Sequence, residues 1–244
     1  ASATGTATAG ANAVVSNGVS QTVVGQNAVA QLTNSGKLTV SADAFASAAT
    51  GLAGANAVVT PAVNQLVVAA SSATASFVNS GTFDAHANAK AVGDVAGANA
   101  LAVGVVQQGA GATALAADFT NSNSFSVKAL ASASGTTNSD ARAGALGYNV
   151  QGPSAILDVV NSGTFAVAAT AVGTDDAAAT ATGIYANVGT LDGSITNSKT
   201  LTVAAKALGY RFGLRTASAI CMGLTGPMST GTACSLKGHS ARVI

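Results

Sequence analysis

The chain contains no tryptophan and no glutamate, and only 8% of its 244 residues are charged. Solvated helices depend on Glu and Lys for first-turn charges and i,i+4 pairs, so the missing glutamate argues against a helical protein despite the abundant alanine. Aromatic residues make up 4% of the chain, which argues against a conventional core of large side chains. The remaining small and β-branched residues, broken by Gly and Asn, favour short strands and tight turns.

The formal net charge is only +1, and the Lys and Arg residues are scattered. This pattern argues against nucleic acid as a partner. Disorder is disfavoured because 48% of the residues are hydrophobic and net charge is low. No apolar stretch reaches the roughly 18 residues of a membrane span, since the best one, residues 101–106, stops at Gln107. The first residues have no basic and apolar signal-peptide regions, so we expect a mature chain or an excised fragment.

An internal repeat is the clearest positive signal. The motif Asn-Ser-Gly, or a near variant, recurs at intervals of 36 to 45 residues. We interpret it as a turn, because Asn tolerates the left-handed region and Gly takes positive φ without steric cost. The predicted turn residues are Asn34, Gly36, Asn79, Gly81, Asn121, Asn161, Gly163 and Asn197.

After each turn, apolar and polar residues alternate strictly, which indicates a strand with one buried face. The fourth residue after each Asn is Leu or Phe, the sixth is Val in all but one copy, and the eighth and tenth are Ala. We expect the fourth positions to stack as one internal core row when the repeats lie over one another. That row is Leu38, Phe83, Phe125, Phe165 and Leu201.

A second motif, Ala-Gly-Ala-Asn-Ala, lies between the turns and places Asn12, Asn56 and Asn99 some 20 to 23 residues from the neighbouring Asn-Ser-Gly copies. We therefore predict two coils of about 20–22 residues in each repeat, long enough for three short strands and their turns. The expected fold is an all-β parallel β-helix, or β-solenoid, of about 10–11 coils. It should occupy residues 1–208.

The pattern stops after residue 208, and residues 209–244 contain both cysteines and three of the four arginines. Three interpretations stay open for this segment: an irregular cap on the end of the solenoid, a linker, or foreign or frame-altered sequence. Cys221 and Cys234 could form a disulfide in an exported protein, and two free thiols are an equal alternative. His239 is the only further metal-ligand type nearby, and the spacing matches no zinc pattern.

Catalytic chemistry finds little support in the sequence. The only adjacent carboxylates, Asp175 and Asp176, stand in a loop-like Gly-Thr-Asp-Asp-Ala context, and His86 falls in the exposed register. We assign no catalytic, cofactor-binding or metal-binding residue and expect no enzyme. Ice-binding solenoids present regular Thr-x-Thr rows. Thr200 and Thr202 make one such step after a turn, but the equivalent positions of the other copies include Lys37, Asp84 and Ala166, which is not a regular threonine array.

The copy at residues 160–169, Val-Asn-Ser-Gly-Thr-Phe-Ala-Val-Ala-Ala, resembles the passenger regions of bacterial autotransporters and related β-helical adhesins. Those proteins carry runs of Asn-Ser-Gly-Thr-Ile or -Leu followed by alternating small residues. The resemblance covers residues 1–208 and implies export, a right-handed parallel β-helix, and a role in adhesion, aggregation or surface coating. The sequence has no export signal or C-terminal translocator domain, so we expect a fragment of such a protein or a free-standing relative.

Together these observations predict a non-catalytic structural or adhesive β-solenoid of an exported bacterial surface protein. We expect it outside the cell or at the cell surface. Its expected partners are itself, end to end or laterally, or a glycan or protein at a cell surface. The alternative is a solenoid that binds ice or glycan.

Overall fold

The computed structural model describes residues 1–111, 114–209, 215–225 and 235–236, with backbone alone for 221–225 and 235–236. These residues are all-β: strands make up 89% of the structure and no helix is present in the described part. The described chain contains no helix that is long and apolar enough to cross a membrane. The strands are β1 (Ser2–Gly5), β2 (Thr8–Ser16), β3 (Val19–Asn34), β4 (Lys37–Ala48), β5 (Leu52–Thr60), β6 (Val63–Asn79), β7 (Thr82–Ala110), β8 (Leu115–Asn121), β9 (Ser124–Asn161), β10 (Thr164–Gly173), β11 (Asp176–Asn197), β12 (Thr200–Gly209), β13 (Arg215–Thr225) and β14 (Ser235–Leu236).

All strand pairs among the described residues are parallel, and they join equivalent positions of successive repeats. Asn34 pairs with Asn79, and Asn161 pairs with Asn197, so the pairing offset equals the whole sequence repeat. We call a set of equivalent residues that lie side by side across successive repeats a column. Parallel pairing at this offset puts like residues next to one another over most of the chain.

The expected pairing unit of about 20–22 residues is therefore wrong, and so is the count of 10–11 coils. The Ala-Gly-Ala-Asn-Ala copies pair with one another, Asn12 with Asn56 and Asn56 with Asn99, and none pairs with an Asn-Ser-Gly copy. The physical reason lies in the columns: only a full-repeat offset brings Asn onto Asn and Phe onto Phe. A half-repeat offset would pair strands whose buried registers carry different side chains.

Alternation along each strand sends every second side chain into one continuous core. Small residues dominate this core, and Ala42, Ala44, Ala129 and Ala131 are all buried. The large side chains collect on either side of the Asn turn, because Phe77 and Phe119 precede it in their strands. Five phenylalanines are fully or almost fully buried there: Phe77, Phe83, Phe119, Phe125 and Phe165.

The longest strands bend, and they change partners as they do so. β7 pairs first with β4, then with β5 after a register shift between Gly93 and Val95, and finally with β6. A second bend lies at Gly147, where opposite sides of the core come close together. A Cβ built on Gly147 would lie 2.5 Å from the Gly183 carbonyl oxygen and 2.8 Å from Phe165, so only glycine fits there.

Strand pairing continues past residue 208, where the sequence predicts an irregular tail. β13 pairs with β11 in parallel from Ala177–Arg215 to Asn187–Thr225, and β14 pairs with β12. The proposed disulfide lies outside the described residues, because Cys234 is not described and only the backbone of Cys221 is. His239 lies outside them too.

Candidate functional site

The predicted turn asparagines form a ladder of hydrogen-bonded side chains. Each Nδ2 donates to Oδ1 of the next copy, over 2.8 Å from Asn34 to Asn79 and from Asn79 to Asn121, and over 2.7 Å from Asn121 to Asn161 and from Asn161 to Asn197. The first four of these side chains are buried. Each of these four also donates to the backbone carbonyl of the first residue after the next turn, as Asn121 does to Thr164 over 3.0 Å. The amide groups thus hold neighbouring turns together.

The turn glycines do not have the positive φ that the sequence predicted, and two of them, Gly81 and Gly163, are required for a different reason. Among the described residues, the glycines with positive φ are Gly51, Gly111, Gly152 and Gly193, and none of them belongs to an Asn-Ser-Gly copy. A Cβ on Gly81 would lie 2.0 Å from the Gly36 carbonyl oxygen, and one on Gly163 would lie 2.1 Å from that of Asn123. At these two positions the backbone of the preceding turn occupies the place of a side chain, whereas a Cβ on Gly36 in the first turn would meet no atom within 4 Å.

The residues of the predicted core row occupy one column, and Phe83, Phe125 and Phe165 are in contact. Phe125 stacks on Phe83 at 4.6 Å between ring centroids and on Phe165 at 4.7 Å. Leu38 is partly buried at one end, and Leu201 is buried at the other. This row is structural, since no solvent reaches the rings.

A glutamine ladder, which sequence reasoning missed, runs through the core near the second bend. Gln65 Nε2 donates to Gln21 Oε1 over 2.8 Å, and Gln107 Nε2 donates to Gln65 Oε1 over 2.9 Å. Gln65 and Gln107 are fully buried, and the hydroxyl of Tyr148 donates to Gln107 Oε1. The signal available in the sequence was the recurrence of Gln at the full-repeat spacing.

Aspartates hold the bend near Gly93 and its equivalent in a later repeat. Asp94 accepts hydrogen bonds from the Gly51 backbone N–H over 3.0 Å and from the Thr136 hydroxyl over 2.8 Å, so it joins three successive repeats. The Gly51 bond, followed by the Thr136 bond, lowers the pKa of Asp94 below its usual value. In the same way Asp175 Oδ2 accepts from the Ser139 backbone N–H over 2.8 Å. Asp175 thus has a structural role at a bend.

On the outer face, a second asparagine ladder is exposed. Asn56 Nδ2 donates to Asn12 Oδ1, and Asn99 Nδ2 donates to Asn56 Oδ1, both over 2.8 Å. The next member of this column is Arg142. Its guanidinium lies 2.7 Å from an oxygen of Asp140, with the arginine side chain 70% exposed.

A column of glycines runs beside this ladder on the same outer face: Gly10, Gly54 and Gly97, followed by Asp140. Together, glycines, asparagines and the ion pair line an open groove of about 460 Å³. The lining residues are Gly54, Ala55, Asn56, Gly97, Ala98, Asn99, Asp140 and Arg142. We call this the Asn–Gly groove, and it is the candidate binding site of the described residues.

His86, which the sequence places in the exposed register, lies beside Asp84. His86 Nδ1 lies 3.3 Å from Asp84 Oδ2, with both side chains about one-third exposed. The described residues contain no group of three or more His, Cys, Asp or Glu arranged to hold a metal ion.

The two outer columns that follow the Asn-Ser-Gly turns do not make a regular threonine array. Beyond the turns they read Lys37, Thr82, Ser124, Thr164, Thr200 and Thr39, Asp84, Ser126, Ala166, Thr202.

Comparison with known proteins gives no identification. No protein-family model matches the chain, and neither a curated protein nor a solved structure is significantly similar to it.

Proposed function

We propose that the chain is a β-solenoid that serves as a structural and adhesive element of an exported bacterial surface protein. The observation that carries this proposal is the asparagine ladder from Asn34 to Asn197, buried at its first four members, which links five successive turns in one register. A ladder of this kind suits a quasi-one-dimensional scaffold, in which each repeat contacts only its neighbours.

The difference in sequence regularity between the inward and outward faces of the strands supports a role in adhesion. Inward positions repeat closely from copy to copy, whereas outward positions in the strands that follow the Asn-Ser-Gly turns vary: one outer column reads Ser41, His86, Lys128, Ala168 and Ala204. A regular interior with a variable exterior is the arrangement expected of a scaffold that displays binding surfaces. The resemblance of the Asn-Ser-Gly-Thr-Phe copy to autotransporter passengers points the same way.

Beads coated with the purified chain test this function. We expect coated beads to clump with one another or to attach to bacterial or epithelial cell layers more than albumin-coated beads do. Dispersed beads that attach no better than the albumin control would contradict the adhesive role. Release of reducing sugar from a polysaccharide panel would contradict its non-catalytic nature.

A further inference from the structure

The Asn–Gly groove contains glycines that the fold does not require. Gly10, Gly54 and Gly97 lie within regularly paired stretches of their strands, and none has a positive φ. A Cβ on any of the three would meet no atom within 4 Å. Glycine within a strand lowers its stability, and apart from bulges and bends it marks places where a ligand or another backbone approaches closely. Here the glycines keep the floor of the groove open.

The walls of the groove are polar and carry no net charge. In the exposed ladder, each asparagine uses one N–H or one oxygen lone pair to bond each neighbouring asparagine. An amide group has two N–H donors and two oxygen lone pairs. Asn56 and Asn99 therefore keep hydrogen-bonding capacity toward the groove. At its end, Arg142 and Asp140 offer several donors and acceptors while neutralising each other. The wall suits a ligand with many hydroxyl groups and no charge.

The groove also has a direction. It crosses three repeats along the stacking axis, where paired strands lie about 4.8 Å apart, close to the length of one sugar unit. Leu52, which is 56% exposed, stands on the same outer face two residues before Gly54. A pyranose ring has an apolar C–H face for the glycine backbone and Leu52, and hydroxyl edges for the amides.

Other occupants fit less well. The strands that form the floor are paired on both sides, so their backbone groups cannot accept a peptide as an added strand. A flat sheet from a second copy would remove the exposed Arg142–Asp140 ion pair from water, at considerable desolvation cost.

We propose that the Asn–Gly groove binds an extended, neutral oligosaccharide lying along the stacking axis. This inference rests on the proposed adhesive function and names the ligand class for it.

Titration calorimetry with cellohexaose, an extended neutral hexasaccharide, tests the proposal, with the coiled maltohexaose as the comparison. We expect cellohexaose to bind and maltohexaose to bind at least tenfold more weakly. The double variant Gly54→Val, Gly97→Val should bind cellohexaose at least tenfold more weakly than the native chain, because two branched side chains fill the floor. Arg142→Gln should weaken binding several-fold.

The fold should survive these changes, since the added carbons meet open space and valine favours strands. Circular dichroism and thermal unfolding check this. Ala168→Val, at a partly exposed outer position on β10, is the matched control and should bind like the native chain.

Three results would overturn the proposal: no binding of cellohexaose at millimolar concentration, full binding by the folded valine variant, or a valine variant that changes only self-association in sedimentation. The last result would assign the groove to a second copy of the chain. Bead attachment separates this inference from the function on which it rests. Attachment without cellohexaose binding removes the groove assignment alone, whereas binding without attachment or clumping removes the adhesive role.

Discussion

The hydroxyl of Tyr148 donates a hydrogen bond to Oε1 of Gln107 inside the core, and this bond ends the glutamine ladder. Tyr148 lies two positions before the residue that pairs with Gln107, so the ring reaches across the column to replace a fourth glutamine. Burial, followed by the nearby Asp118 charge, raises the pKa of Tyr148 well above its usual value. The phenol therefore remains a donor even in alkaline solution.

Replacement of Tyr148 by phenylalanine tests this bond. Tyr148→Phe should lower the free energy of unfolding by about 1 to 3 kcal/mol, because it leaves the buried Gln107 oxygen without its donor. Urea unfolding measures the difference. Tyr185→Phe is the control, since the Tyr185 side chain is only partly buried and should tolerate the change. Equal losses of unfolding free energy in the two variants would show that the hydrogen bond to Gln107 does not contribute measurably to stability.

The buried asparagine ladder predicts a position-dependent cost for removing one amide. Asn121→Ala deprives the amide of Asn79 of its acceptor and the oxygen of Asn161 of its donor. At about 1 to 3 kcal/mol for each unsatisfied buried group, we expect a loss of several kcal/mol. Asn99→Ala removes the same side chain from the exposed ladder, where water replaces the partner, and should cost less than about 1 kcal/mol. Similar losses at the two positions would contradict the importance of burial. Urea unfolding of both variants measures them.

Much of the fold could be predicted from period-two alternation and from the recurrence of Asn-Ser-Gly. The strands begin close to where these signals place them, for example at Lys37, Thr82 and Thr164 after their turns. The sequence suggests a pairing offset of half a repeat because Asn12 and Asn34 stand about half a repeat apart and both precede apolar residues. Asparagine alone does not define a register; the side chains of the whole strand do, and they match only at the full repeat.

The candidate site was largely invisible in the sequence. Gly54 and Gly97 look like ordinary parts of a small-residue motif until the outer face is known. Arg142 departs from the asparagine column by a substitution that only the register reveals. The two hydrogen bonds that Asp94 accepts were equally hidden, because its partners Gly51 and Thr136 lie more than 40 residues away on either side. Such contacts depend on pairing register, which local patterns do not carry.

The stacked phenylalanines should tolerate leucine but not alanine. Phe125 contacts rings on both sides in its own row and meets Phe77 and Phe119 edge-on. Phe125→Ala should cost about 3 to 5 kcal/mol through lost packing and a cavity. Phe125→Leu should cost far less, because the row already contains leucine at Leu38 and Leu201. Denaturant midpoints of the two variants compare them, and an alanine variant as stable as the leucine variant would refute the packing argument.

The carboxylates of Asp118 and Asp158 lie in one column of the outer face, and this predicts a pH-dependent gain from removing one of them. Burial, followed by repulsion from Asp158, raises the pKa of Asp118 above its usual value. The ionised form is therefore disfavoured in the folded chain. The stabilising contribution of the protonated form is complete below the unfolded-state pKa of about 3.9 and is lost as pH rises through the raised folded-state value.

Asp118→Asn should accordingly raise the melting temperature at neutral pH, and the gain should shrink to nothing as the solution is acidified below about pH 3.9. Thermal unfolding of native and variant chains across pH 3 to 8 measures the difference at each pH, so that other titrating groups cancel. Asp192→Asn is the matched control: Asp192 is exposed and pairs with Ile156, so its neutralisation relieves no stacked carboxylate. A lower melting temperature for Asp118→Asn at neutral pH would mean that the charge at this position stabilises the stack.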